Sequence, residues 1–261
     1  MQNKSLGQHW LNDKYSLESM LEAVHLVKDD YVLEVGPGLG PLTRLLVEVA
    51  KHVTTVEVDR ELIEYLKKNI KAPNLTIVDQ DILKFDLESL PKSYKVVANI
   101  PYYLTSKLFR KLSEAANPFS EAAILVQKEV AERVAAKPGS MSILSVSVQY
   151  YSHVSLGLVV PALLFDPPPK VDSQVVILKR REKPLFSDVD AEQYFKTVKA
   201  GFGQKRKKLS NSLSAGLGIN KEEIESILSS VNIDPGTRAQ ALSLSQWRDI
   251  TLALKTNITN T

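Results

Sequence analysis

The chain has 261 residues, 44% of them hydrophobic and 24% charged, which suits one large domain or two modest ones with a substantial core. Thirty-three Lys and Arg against 30 Asp and Glu leave a net charge of +3. That excludes a highly charged tail protein and is compatible with a local basic patch for an acidic partner. With no Cys, a disulfide framework, a thiolate nucleophile and a Cys-ligated metal are excluded.

Tyr31 to Val35 reads as a buried strand stopped by Gly36, and Pro41 to Ala50 as a helix with Leu42, Leu45, Leu46 and Val49 on one face. Pro41 suits a first helical turn, where its missing N–H has no intrahelical partner to lose. Val53 to Val58 is a second strand, and Arg60 to Ile70 a second helix with Leu62, Ile63, Leu66 and Ile70 in a stripe. Leu75 to Val78, Lys95 to Ala98 and Ala122 to Val126 are further strands, with helices over Leu104 to Ala115 and Glu129 to Ala136. This alternation predicts an α/β fold whose parallel sheet is covered on both faces.

The rhythm breaks after Pro161. Pro167-Pro168-Pro169 fits a rigid extended loop, since proline suits neither helix interior nor central strand. Val175 to Leu178 is a last strand. Helices alone follow, over Ala191 to Ala200, Arg206 to Leu213, Glu222 to Val231 and Ser245 to Leu254. The domain boundary is placed near Pro184, giving a first domain of 1–183 and a helical one of 184–261. Residues 1–9 hold no apolar stretch of signal-peptide type. The longest nearly apolar run, Val154 to Phe165, is interrupted by Pro161 and falls short of the ~20 residues of a membrane span. A cytoplasmic protein without membrane association is expected.

Glu34-Val35-Gly36-Pro37-Gly38-Leu39-Gly40 joins a strand to a helix. Glycines there allow a tight turn and close approach of backbone N–H groups to a ligand. A dinucleotide site would want G-x-G-x-x-G; here the third glycine comes one residue early and position 41 is Pro. The spacing, with an acid before it, fits S-adenosylmethionine better than NAD. Glu57 follows Gly36 by 21 residues at the end of the second strand, placed to accept hydrogen bonds from ribose hydroxyls. Asp81, after the third strand, is placed to accept from an adenine amino group. Each acid alone reads equally well as a solvated loop residue. Three in register along the carboxyl edge of the sheet point to a ligand.

Val97-Ala98-Asn99-Ile100-Pro101-Tyr102 closes the fourth strand. The amide oxygen of Asn99 and a neighbouring backbone carbonyl can accept from an exocyclic NH2 and orient its lone pair. Pro101 fixes φ and removes a competing donor. Tyr102 offers a face for a flat base, worth ~1–3 kcal/mol in base–aromatic contacts. The plain alternative is an ordinary strand-end turn. Phe165, before the proline run, is placed to face the base from the side opposite Tyr102; alternatively it is core and the prolines only a turn.

These motifs resemble those of the ribosomal RNA adenine dimethyltransferase family, in particular its bacterial small-subunit (16S) branch. Gly7-Gln8-His9-Trp10-Leu11 is similar to the family's G-Q-[N/H]-F-L, Glu34 to Gly40 to its E-[I/V]-G-P-G-x-G, and Asn99 to Tyr102 to its N-[I/L]-P-Y. Gln127 to Val130, Phe165 to Ser173 and Phe202 to Leu209 also resemble family segments. Trp10 departs from the family's Phe, and His9 stands where many relatives have Asn.

The resemblance implies a Rossmann-like class I S-adenosylmethionine-dependent methyltransferase sheet with a small all-helical C-terminal domain. It implies donor contacts at Gln8, His9, Leu11, Gly36, Gly38, Glu57, Asp81 and Asn99. Asn99, Ile100, Pro101, Tyr102 and Phe165 would form the catalytic group. The activity implied is N6,N6-dimethylation of adenosines in 16S rRNA, by direct transfer from an activated donor that needs neither metal nor covalent nucleophile. RNA grip is expected from Lys179, Arg180, Lys205, Arg206, Lys207 and Lys208, with the plain alternative of a solvated helix face. The expected partner is 16S rRNA within a small-subunit assembly intermediate, met by a monomer. The rivals are a 23S rRNA methyltransferase of the macrolide-resistance type, a non-catalytic nucleic-acid-binding relative, and an NAD-dependent oxidoreductase, which the glycine spacing disfavours.

Overall fold

The computed structural model describes residues 9–258. A short strand β1 (Trp10–Leu11) leads into α1 (Lys14–Ala23), capped by Asp13, whose carboxylate accepts from the Ser16 N–H at 2.8 Å. Then come β2 (Tyr31–Val35), α2 (Pro41–Val49), β3 (His52–Glu57), α3 (Arg60–Asn69), β4 (Leu75–Asp79), β5 (Lys95–Asn99), α4 (Thr105–Ser113) and β6 (Glu121–Gln127). α5 (Lys128–Val134), α6 (Ile143–Tyr151), β7 (Ser152–Val160), β8 (Phe165–Asp166) and β9 (Ser173–Arg180) follow. The last helices are α7 (Ala191–Phe202), α8 (Leu209–Leu217), α9 (Lys221–Ser230) and α10 (Leu244–Ile258).

Seven strands form one sheet in the order β4-β3-β2-β5-β6-β9-β7. β2 to β6 run parallel, whereas β9 is antiparallel to both β6 and β7. The chain builds outward from β2 through β3 to β4, then crosses back to lay β5 on the other side of β2. That reversal is the topological switch point of a Rossmann-like sheet, outside whose carboxyl ends ligands bind. Gly36 and Asn99 stand at its two lips. β1 and β8 form a separate antiparallel pair, with Trp10 opposite Asp166 and Leu11 opposite Phe165.

The molecule divides into two units, Met1–Glu132 with Ser152–Arg180, and Arg133–Tyr151 with Arg181–Thr261. A single cut near Pro184 therefore misses one piece. Met141, Val146 and Tyr150 belong to the core of the helical unit; the Tyr150 ring lies 4.8 Å from Tyr194 and 5.1 Å from Phe195. Burying those apolar side chains with Val198, Phe202 and Trp247 is what assigns the segment. The core of the sheet unit joins Leu17 and Met20 of α1 to Leu42 and Leu46 of α2 and to Val32, Val97 and Leu125 of the strands.

The helix expected from Arg206 begins instead at Leu209. Gln204 to Lys207 form a turn in which the Lys207 N–H donates to the Gln204 carbonyl at 2.9 Å. Lys205, Arg206, Lys207 and Lys208 are all exposed there, on a loop and not around a helix. Among the described residues no helix is long and apolar enough to cross a membrane.

Candidate active site

The turn after β2 needs glycine. Gly38 has φ +59° and Gly40 φ +80°, the left-handed region that strains any residue with a Cβ. A Cβ on Gly40 would also lie 2.5 Å from Ile70 and 2.8 Å from Leu66, so its absence lets α2 start directly against α3. A Cβ on Gly38 would lie 2.1 Å from Trp10.

The acid before this turn is not a ligand-facing anion. Glu34 is fully buried, and the Thr43 hydroxyl of α2 donates to its Oε2 at 2.8 Å. Its Oε1 has no hydrogen-bond partner among the described residues, nor has Oγ1 of Thr55, its register partner on β3. Burial above all pushes the Glu34 carboxyl up to about 8, so at neutral pH it is mostly uncharged. Glu57, at the end of β3 and 8% exposed, is different. Burial raises it too, but its Oε1 accepts from the N–H groups of Val58 at 2.8 Å and Asp59 at 3.0 Å, and the Gly38 N–H adds to them. A carboxylate held this way has acceptor capacity left for two hydroxyls.

Across the switch point, Asn99 ends β5 half-buried, and its side-chain amide makes no hydrogen bond among the described residues. The next residues are held tightly. The Leu104 N–H donates to the Pro101 carbonyl at 3.0 Å and the Thr105 hydroxyl to the Tyr102 carbonyl at 2.9 Å. The Tyr102 hydroxyl is 3.0 Å from that of Ser173. Over this edge lies the β1–β8 pair. His9 Nδ1 donates to the Pro167 carbonyl at 2.7 Å, and the His9 ring stacks on Tyr102 with centroids 5.8 Å apart at 25°.

One cavity at this edge is lined by His9, Leu11, Gly36, Gly38, Glu57, Asn99, Ile100, Pro101, Tyr102 and Phe165 together. Gln8 lies outside the described residues. Asp81 is not in the lining; its Oδ1 accepts from the Leu83 N–H at 2.9 Å, closing its own turn. Phe165 reaches the cavity but is 4% exposed and packs in the core, because β8 pairs it with Leu11. One side of the Tyr102 ring is turned toward the His9 ring. Lys179 and Arg180 end β9, which runs against β6, so they sit at the opposite edge of the sheet. The Arg180 guanidinium donates to the Ser113 carbonyl at 2.8 Å, at the end of α4. Trp10 and Tyr103 are among several further lining residues that the sequence did not single out as site residues. Both lie beside a motif residue already singled out, which was the available signal.

A sequence model of the family described as ribosomal RNA adenine dimethylase matches residues 1–255. Ribosomal RNA small subunit methyltransferase A of Dehalococcoides mccartyi is 42% identical over 253 residues, covering 95% of this chain and 87% of that protein. The protein of the same name from Clostridioides difficile is 40% identical over 268 residues, covering 99% and 92%. Of solved structures, a dimethyladenosine transferase from Plasmodium falciparum is similar with a TM-score of 0.81 at 26% identity, over 95% of this chain and 98% of that one. The 23S rRNA methyltransferase ErmE gives 0.74 at 28%, over 94% and 99%.

Proposed function

The chain belongs to the ribosomal RNA adenine dimethylase family, and from that premise we propose that it dimethylates N6 of adenosines in small-subunit (16S) ribosomal RNA, using S-adenosylmethionine. The observation that carries the reading is the Asn99 amide, without a hydrogen-bond partner among the described residues, in one cavity with Glu57 and the glycine turn. The residues present fit the donor. Gly36 leaves its backbone bare on the cavity wall, where only Pro101 comes within 3.5 Å of a Cβ position, and Glu57 is an acid with acceptor capacity for a ribose diol. His9, Leu11, Gly36, Gly38, Glu57 and Asn99 hold it. The donor, when bound, supplies a methyl group on a positively charged sulfur and is already electrophilic.

The chain's own work is positioning. Asn99 Oδ1 accepts one N–H of the adenine amine, and a neighbouring backbone carbonyl, that of Ile100 on the cavity wall, accepts the other. The Pro101 carbonyl is taken by Leu104, and Pro101 has no N–H to compete. The amine lone pair is thereby directed outward, and positioning of this kind supplies ~7–11 kcal/mol in favourable systems. Tyr102 stacks the extruded base, and Phe165 backs the pocket from the core. After transfer the alkylated nitrogen is a strong acid and releases its proton to Asn99 Oδ1 or to water. Lys205 to Lys208 contact phosphates, giving affinity without base readout.

The test offers labelled donor with purified small- and large-subunit particles lacking the modification. Label is expected in 16S adenosines; label confined to 23S rRNA overturns the small-subunit reading. Asn99→Ala should lose methyl transfer by about a hundredfold or more while binding the donor measurably, and near-normal turnover rejects the role given to Asn99.

A further inference from the structure

Trp10 is a large aromatic side chain that the apolar core does not use. Its neighbours in the β1–β8 pair, Leu11 and Phe165, are both core residues; Trp10 is half-buried and outside that cluster. Its ring lies instead against the glycine turn. The three atoms nearest to a Cβ built on Gly38 are Cζ3, Cε3 and Cη2 of this indole, at 2.1, 2.8 and 3.2 Å. The indole N–H has no hydrogen bond among the described residues. Pairing with Asp166 fixes the backbone beneath it, so the benzo ring is a placed wall of the cavity that also holds Glu57 and Asn99.

The rest of the lining sharpens its meaning. The Glu34 carboxyl is mostly uncharged at neutral pH, which leaves Glu57, occupied with backbone N–H groups, as the other acidic wall residue. Of the other rings, His9 and Tyr102 face each other, Phe165 is core and Tyr103 is 61% exposed. An indole is the strongest π-face for a cation, and its attraction grows as water is excluded.

Resting on the donor reading above, we propose that Trp10 is a donor-binding residue whose ring face attracts the positive charge of S-adenosylmethionine, so that the site prefers the sulfonium donor over its neutral thioether product. Transfer of the methyl group removes that charge and weakens the hold on the product, which favours its release.

The experiment is calorimetric titration of the full chain with S-adenosylmethionine and, separately, S-adenosylhomocysteine, comparing wild type, Trp10→Phe and Trp10→Leu. Wild type should favour the donor. Trp10→Leu should lose about fivefold or more of the preference while its affinity for the thioether stays within about twofold, and Trp10→Phe should keep most of it. Circular dichroism melting checks that each variant is folded. Intrinsic fluorescence gives a second readout: the chain has two tryptophans, and Trp247 is fully buried in the helical unit, so the donor should change an emission component that Trp10→Phe lacks. An unchanged donor-to-product ratio in Trp10→Leu, or equal weakening of both ligands, overturns the role of Trp10 and leaves the donor reading intact. Absence of binding by folded wild type overturns both.

Discussion

Glu34 keeps a proton that the unfolded chain would release. Its ordinary value is 4.5 and burial lifts it to about 8 in the folded protein. A carboxyl raised on folding contributes stability that is complete below the lower value and is lost as pH rises through the upper one. The protein should therefore lose stability between about pH 5 and 8 from this residue and level off above. Glu34→Gln keeps the shape and the acceptor for the Thr43 hydroxyl without the titration. Relative to that variant, wild type should lose about 5 °C or more in Tm between pH 5.5 and 8.5; parallel melting curves would show that the group is charged in the native state. The sequence marked this residue correctly as part of the glycine motif but not its task. Motif spacing places an acid at the strand end, whereas Thr43 reaching across from α2 decides what its oxygens do.

For the elements, hydrophobic periodicity carried the first half of the chain. β2 and α2 were legible because a buried parallel strand and an i, i+3, i+4, i+7 stripe are different patterns. α1 carries such a stripe in Leu17, Met20, Leu21 and Val24, which was not read. α6 was not legible, because Ile143 to Tyr151 alternates β-branched and polar residues in a way that suits a strand. Its apolar side chains become helical by packing in the helical unit. The β1–β8 pair joins residues some 155 positions apart, which no local pattern announces, and so the cover that His9 and Trp10 give the cavity had to come from the structure. Element geometry also gives Arg180 a structural task. Bound to the last carbonyls of α4, it behaves as a helix C-cap. Arg180→Ala should cost about 1 kcal/mol in chemical denaturation and leave affinity for small-subunit particles within about twofold. A large loss of affinity at unchanged stability would return it to the RNA surface.

For the whole molecule, electrostatics concentrate where the net charge of +3 does not show it. Lys205, Arg206, Lys207 and Lys208 project from one tight turn. Replacing all four by Gln should weaken particle binding about tenfold near physiological salt and reduce the slope of log affinity against log salt by roughly 3. Donor affinity and melting temperature should not change, since the side chains are exposed. An unaltered salt slope, measured by filter binding across a salt series, would remove the turn from the RNA interface. The cluster itself was legible in the sequence; its shape was not, because four cations in a row fit a helix as readily as a loop.

The helical unit is sewn from two stretches of chain with two strands of the sheet between them. On a ribosome that order matters. Tyr150 emerges about 45 residues ahead of Tyr194 and Phe195, the rings it packs against on α7, a wait of about 2–9 s at ordinary elongation speeds. Throughout that interval an oily face of α6 has no permanent neighbour, so newborn copies of this chain should be clients for chaperones at the ribosome until α7 arrives.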